Sequence, residues 1–319
     1  MRASTKWLIV SIILIVLGAG VFFASASALH FDFSKLSTVK YKTSTFEVKE
    51  TFEKISIENY TDQIEFVRSE NETCVVTCKE QEDQKHLVSV ENGTLMIRVE
   101  DERKWFNFVG FFAEKTKITV ALPEESYENL SIKTETGDVV IPEDFSFEDI
   151  LIQGSTADVD CKASVSRNLE IRLNTGDITL SALAAGDIHL TVSTGDIRMN
   201  GVRCDDTITI GVSTGKVKMA DVTCKKLNST GSTGDLVLRN VVASDEFRLE
   251  RDTGDIEFDG CDAESIFVTT TTGDVTGTLL SEKVFITETD TGSVKVPKSI
   301  TGGRCEITTD TGKIEIEIQ

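Results

Sequence analysis

Thr-Gly followed by Asp, Lys or Ser recurs at Gly137, Gly176, Gly195, Gly215, Gly234, Gly254, Gly273, Gly292 and Gly312 of this 319-residue chain. The spacings are 39, 19, 20, 19, 20, 19, 19 and 20. The 39 is two periods, with Ser155-Thr156-Ala157-Asp158 standing where a copy would fall. A period of this size restricts the fold to a repeat array, in which each unit rests on its neighbours and none buries a core alone.

Aligned on the glycine, the repeats form apolar columns. Two and four residues after it stand pairs such as Ile178/Leu180, Ile197/Met199 and Leu236/Leu238; at 275/277 the second position is Gly277. Seven and five residues before it stand Leu130/Ile132, Ile150/Ile152, Leu169/Ile171, Ile188/Leu190 and Phe247/Leu249. Further columns seven and nine residues after it hold Leu183, Val202, Val222, Val241, Cys261 and Leu280, then Ala185, Cys204, Cys224, Ala243 and Ala263. Each repeat therefore carries two short strands with period-2 alternation. Stacking identical turns about 4.8 Å apart makes one continuous core, so the fold class predicted is all-β, a single-stranded parallel β-solenoid of 19–20-residue turns. A meander of antiparallel hairpins is the rival architecture; the unbroken register favours stacking.

The sequence divides into residues 1–29 as a membrane anchor or signal segment, 30–45 as a stalk, 46–125 as an irregular β cap and 126–319 as solenoid repeats. In the cap, Ile55, Ile57, Ile64 and Phe66 keep the repeat spacing with Asp62 in the glycine slot, which suggests a degenerate first turn. Asn92-Gly93 between alternating apolar residues reads as a hairpin turn. Trp7 to Phe23 is an apolar run after Arg2 and Lys6, with no acidic residue before Asp32. Extended to Leu29 it is long enough for a transmembrane helix. The stretch Ala24-Ser25-Ala26-Ser27-Ala28 also fits a signal-peptidase site, and cleavage after Ala28 is the competing reading. Both readings place the remainder outside the cytoplasm.

Lys and Arg number 33 against 53 Asp and Glu, a formal charge of −20, which excludes a nucleic-acid binder built on a basic face. Three histidines leave few members for Ser-His-Asp or Cys-His arrangements, and turns this short leave no loops to carry paired carboxylates over a groove. No phosphate-loop glycine pattern occurs. The expectation is a protein that is not an enzyme and carries no cofactor.

One membrane segment, the Ile118-Thr119-Val120-Ala121-Leu122-Pro123 strand end and serial Leu-x-Ile-x-x-x-Thr-Gly-Asp-Ile-x-Ile turns together resemble the bacterial putative-adhesin β-strand repeat family known as domain of unknown function 4097. The resemblance covers residues 46–319 and is architectural. It implies an envelope protein, in some members tied to envelope-stress operons, and carries over no catalytic residue. Lys216 and Lys313 depart from the Thr-Gly-Asp pattern.

Candidate sites follow from the ladders. Asp177, Asp196, Asp235, Asp255 and Asp274, with Asp138 and Asp158, line one edge; they are weak calcium candidates against a turn-capping role, since each turn offers one carboxylate. The Thr rank preceding the glycines has acidic neighbours, unlike an apolar ice-binding plane. The seven cysteines fit buried thiols, with a Cys204–Cys224 bridge as the alternative. Trp105, Phe106, Phe108, Phe111 and Phe112, between basic pairs, suit either a plug for the rod's amino-terminal end or a contact with membrane or partner. The function expected is non-enzymatic binding or scaffolding at the cell envelope, with the membrane and a cell-wall, glycan or protein ligand as partners. The alternative is a regulatory envelope-stress protein acting through a membrane partner.

Overall fold

The structure, a computed structural model, describes residues 3–28, 41–81, 84–101 and 116–319. The solenoid is present and winds through about ten turns. On its first face, strands Ser126–Thr134, Ser146–Thr156, Ser164–Thr175, Ala184–Thr194 and Thr207–Thr214 lie parallel in sequence order. Leu130, Ile150, Leu169, Ile188 and Ile208 sit over one another, and Leu227, Phe247 and Ile266 continue the column. The second face stacks Val139, Val159, Ile178, Ile197, Val217, Leu236, Ile256 and Val275 in the same way. All of these side chains are buried, each worth about 1.5–3 kcal/mol of transfer free energy.

The corner between the faces explains the repeated glycine. At Gly215 φ is +149°, and a Cβ there would lie 1.9 Å from the carbonyl oxygen of Gly195 one turn below. Gly195 stands in the same relation to Gly176, at 2.0 Å. A side chain is excluded twice, by the backbone conformation and by the turn beneath.

Residues Lys54–Glu58 and Gln63–Arg68 form a parallel turn on Ser126–Ile141, with Ile55 over Leu130, Ile57 over Ile132 and Ile64 over Val139. Thr94–Asp101 and Lys117–Leu122 add another parallel layer. Beyond it Gln84–Glu91, Cys74–Gln81 and Tyr41–Val48 run antiparallel, so the winding ends there. Asn92 and Gly93, at φ +50° and +74°, make the hairpin turn between two of these strands.

At the other end, chain order and spatial order part. Gly303–Thr311 pairs with Ser265–Thr272 on one side and with Lys283–Thr291 on the other. Ile314–Ile318 likewise lies between Val275–Leu279 and Val294–Lys295. The last turn in sequence is thus inserted inside the rod, and the turn of residues 283–295 is outermost. Leu280 and Val294, members of the apolar columns, are consequently exposed.

The apolar run forms a helix, Ala3–Ala28, of 26 residues. Among the described residues no helix is long and apolar enough to cross a membrane, so the membrane crossing expected of this segment is not found. The aromatic group Trp105, Phe106, Phe108, Phe111 and Phe112 lies outside the described residues.

Candidate functional site

The corner aspartates form a hydrogen-bonded ladder. Oδ1 of Asp158 accepts from the Asp177 amide at 2.8 Å, Asp177 from Asp196 at 2.8 Å, and Asp196 from Lys216 at 2.9 Å. After one step the series resumes, with Asp235 accepting from Asp255, Asp255 from Asp274 and Asp274 from Lys313. Lys216 links the two halves, its Nζ lying 2.8 Å from Oδ2 of Asp235. Arg198 bridges Oδ2 of Asp177 and Asp196, at 2.7 Å each.

Burial would raise the Asp177 pKa, but the Arg198 and Asp196 hydrogen bonds outweigh it and hold the group below its ordinary value. The Lys216 hydrogen bond leads in lowering that of Asp235. The calcium candidates therefore each spend one oxygen on the turn above. Among the described residues, no group of three or more His, Cys, Asp or Glu side chains is arranged to hold a metal ion.

Surface grooves among the described residues cross successive turns. One, of about 580 Å³, is floored by Ser126, Ser146 and Ser164, which repeat in register, and edged by Glu53, Glu128 and Glu148. Ser126 and Ser146 hydroxyls lie 2.8 Å apart. Beneath them Phe52, Tyr127 and Phe147 stack at centroid distances of 5.8 and 6.0 Å, which fixes the floor. A second groove of about 500 Å³ gathers Arg198, Lys216, Lys218 and Arg239 on the other face.

Two buried polar groups were not singled out from the sequence. His86 is enclosed in the amino-terminal layers, with Nδ1 2.6 Å from Glu80 and Nε2 3.2 Å from Asp62. Burial opposes its charged form, yet the hydrogen bonds it donates to Asp62 and Cys78 outweigh burial and raise its pKa to about 10. Lys42 and Ser44 hold the other oxygen of Glu80. Arg251 occupies the core column three residues before the corner glycine, where Val192 and Val212 stand in other turns. Its guanidinium donates to Ser229 Oγ and the Glu250 carbonyl, and burial lowers its pKa to about 10. The charged residue in an apolar column was the available signal for Arg251; His86 sits outside the period and had none.

All seven cysteines are buried free thiols, so the Cys204–Cys224 bridge is absent. Cys204 donates instead to the Gly186 carbonyl at 3.1 Å. Burial raises the thiol pKa to about 11 at Cys204 and about 12 at Cys224.

The sequence matches the family described as Toastrack DUF4097 over residues 52–206 and again over 202–319, and the chain belongs to that family. No curated protein matches it. Among solved structures, a putative lipid binding protein from Parabacteroides distasonis is 16% identical, with 86% of this chain and 97% of that chain covered at a TM-score of 0.49. A putative adhesin from Parabacteroides distasonis is 12% identical (88% and 98% covered, TM-score 0.46). Another from Bacteroides fragilis is 16% identical (87% and 97% covered, TM-score 0.43).

Proposed function

We propose that the protein is a non-enzymatic binding module of the cell envelope, in which the solenoid grips an extended, hydroxyl-rich ligand along its turns. The observation that carries this reading is the serine-floored groove. Ser126, Ser146 and Ser164 offer equivalent hydroxyls at the pitch of the solenoid, and the flanking Glu53, Glu128 and Glu148 supply acceptors for ligand hydroxyls. A repeated ligand met by a repeated floor gains contacts turn by turn, which suits a glycan strand better than a small molecule.

The placement at the envelope rests on the amino-terminal helix. Trp7, Val10, Ile12 to Leu17 and Val21 to Phe23 are all exposed, and a helix apolar all round is at home in lipid. On this reading the apolar helix tethers the chain to lipid at the envelope. Co-sedimentation of the protein with isolated cell walls tests the function. Binding that Ser146→Trp abolishes, by filling the groove, is the expected result; failure to sediment, or binding indifferent to Ser146→Trp, overturns it.

A further inference from the structure

The outermost turn at the carboxy-terminal end differs from every other surface of the rod. Strand Lys283–Thr291 has one neighbour, Gly303–Thr311, and presents its other edge unpaired among the described residues. At the opposite end the chain changes to antiparallel strands; here a parallel turn simply stops. Outside the helix, the exposed large apolar residues concentrate in this segment: Leu280, Val284, Ile286, Val294 and Ile300, the last 95% exposed. A bare parallel edge beside apolar side chains is a template for another strand.

The direction of the free hydrogen-bonding groups follows from the pairing. The Thr291 carbonyl accepts from the Gly312 amide, and the Ser293 carbonyl from Ile314. Alternation along a strand then turns the odd-numbered backbone groups of 283–291 towards the rod and those of Ile286 and Glu288 outwards. The protections of strand 283–291 are limited to the exposed Glu288 and Asp290. The strand contains no proline, and its inward lysine, Lys283, is neutralised by Asp262 at 2.6 Å.

Charge identifies the occupant. The chain as a whole carries −20, which keeps two copies apart. Residues 280–302, however, hold three acidic side chains (Glu282, Glu288, Asp290) and three basic ones (Lys283, Lys295, Lys298), a local charge of zero. Two such acidic rods therefore meet at this end with less repulsion than their net charge alone would give. A second copy also brings an edge of identical length and alternation, so that antiparallel pairing about a two-fold axis sets outward residues beside outward ones. We propose that the protein forms a tail-to-tail homodimer through edge pairing of strand 283–291 with its counterpart.

Sedimentation velocity of the full chain in non-ionic detergent, from about 1 to 100 μM, tests this. The expected result is a monomer–dimer equilibrium that Glu288→Pro weakens at least tenfold, because an outward amide is lost while the inward pairing stays. Ile286→Lys, which leaves the backbone intact, is expected to act likewise, with unchanged circular dichroism. A wild-type chain that is monomeric throughout overturns the proposal, and so does a dimer that neither variant weakens. Cell-wall co-sedimentation of the same variants separates this outcome from the groove reading, since neither residue lines that groove.

Discussion

Replacing Gly215 by alanine puts the corner geometry to the test. An L-residue at φ +149° costs about 1–3 kcal/mol. The new Cβ would stand 1.9 Å from the Gly195 oxygen, against a floor of 3.0 Å for real Cβ contacts, so the two turns must separate by about 1 Å. That movement strains the Gly195 amide to Thr214 carbonyl bond and the Ile197 amide to Lys216 carbonyl bond, both 2.9 Å. Such overpacking adds about 1–3 kcal/mol. The total, about 2–6 kcal/mol, is a large part of the stability of an ordinary domain. Gly211→Ala is the control: its φ is not positive, and the nearest atom to a new Cβ is Thr230 Oγ1 at 3.9 Å. It is expected to change stability by less than about 1 kcal/mol. Urea unfolding followed by circular dichroism measures both. A Gly215→Ala cost below about 1 kcal/mol, or equal to that of Gly211→Ala, would refute the argument that backbone contact between turns dictates the glycine.

Asp255→Ala is expected to cost about 0.5–1.5 kcal/mol by removing the acceptor of the Asp274 amide, while Asp255→Asn keeps an acceptor and stays within about half of that loss in the same urea assay. The His86 pKa is raised in the folded state to about 10 from 6.5, so its stabilising contribution is complete below pH 6.5 and is lost as pH rises towards 10. Melting temperatures should accordingly fall by several degrees across that window, and the part due to this group should vanish in His86→Gln. Amide exchange should be slower at Ile307 and Ile314, near the chain terminus, than at Ile286 and Val294 on the outermost turn. Thiol titration should find seven free thiols after unfolding without reductant, with little reaction in the native state because the buried thiols titrate high.

The candidate sites were legible to different depths. The aspartates were visible as a column, but only coordinates show each Oδ1 bonded to the next turn's amide, which gives the ladder a structural task. Lys216, which breaks the pattern in sequence, proves to join Asp196 to Asp235. The serine floor stands 11 or 12 residues before the corner position, a column that polarity alone does not distinguish from any solvent face. The His86, Glu80 and Asp62 group joins residues 6 and 24 positions apart, across antiparallel and parallel layers that share no period.

By itself the sequence determines the period, the inward columns and the corner, because side-chain alternation and the exclusion of a Cβ beside a carbonyl act within one turn and its neighbour. Tertiary structure alone decides which turn lies where at the end. Every turn presents the same parallel edge with the same spacing, so residues 303–318 could stack above or below 283–295 without violating the repeat. Their burial between two turns, with Cys305, Ile307, Ile314 and Ile316 all enclosed, is the arrangement that hides more apolar surface. It leaves the outer edge to the segment whose column residue Val294 stays in contact with solvent.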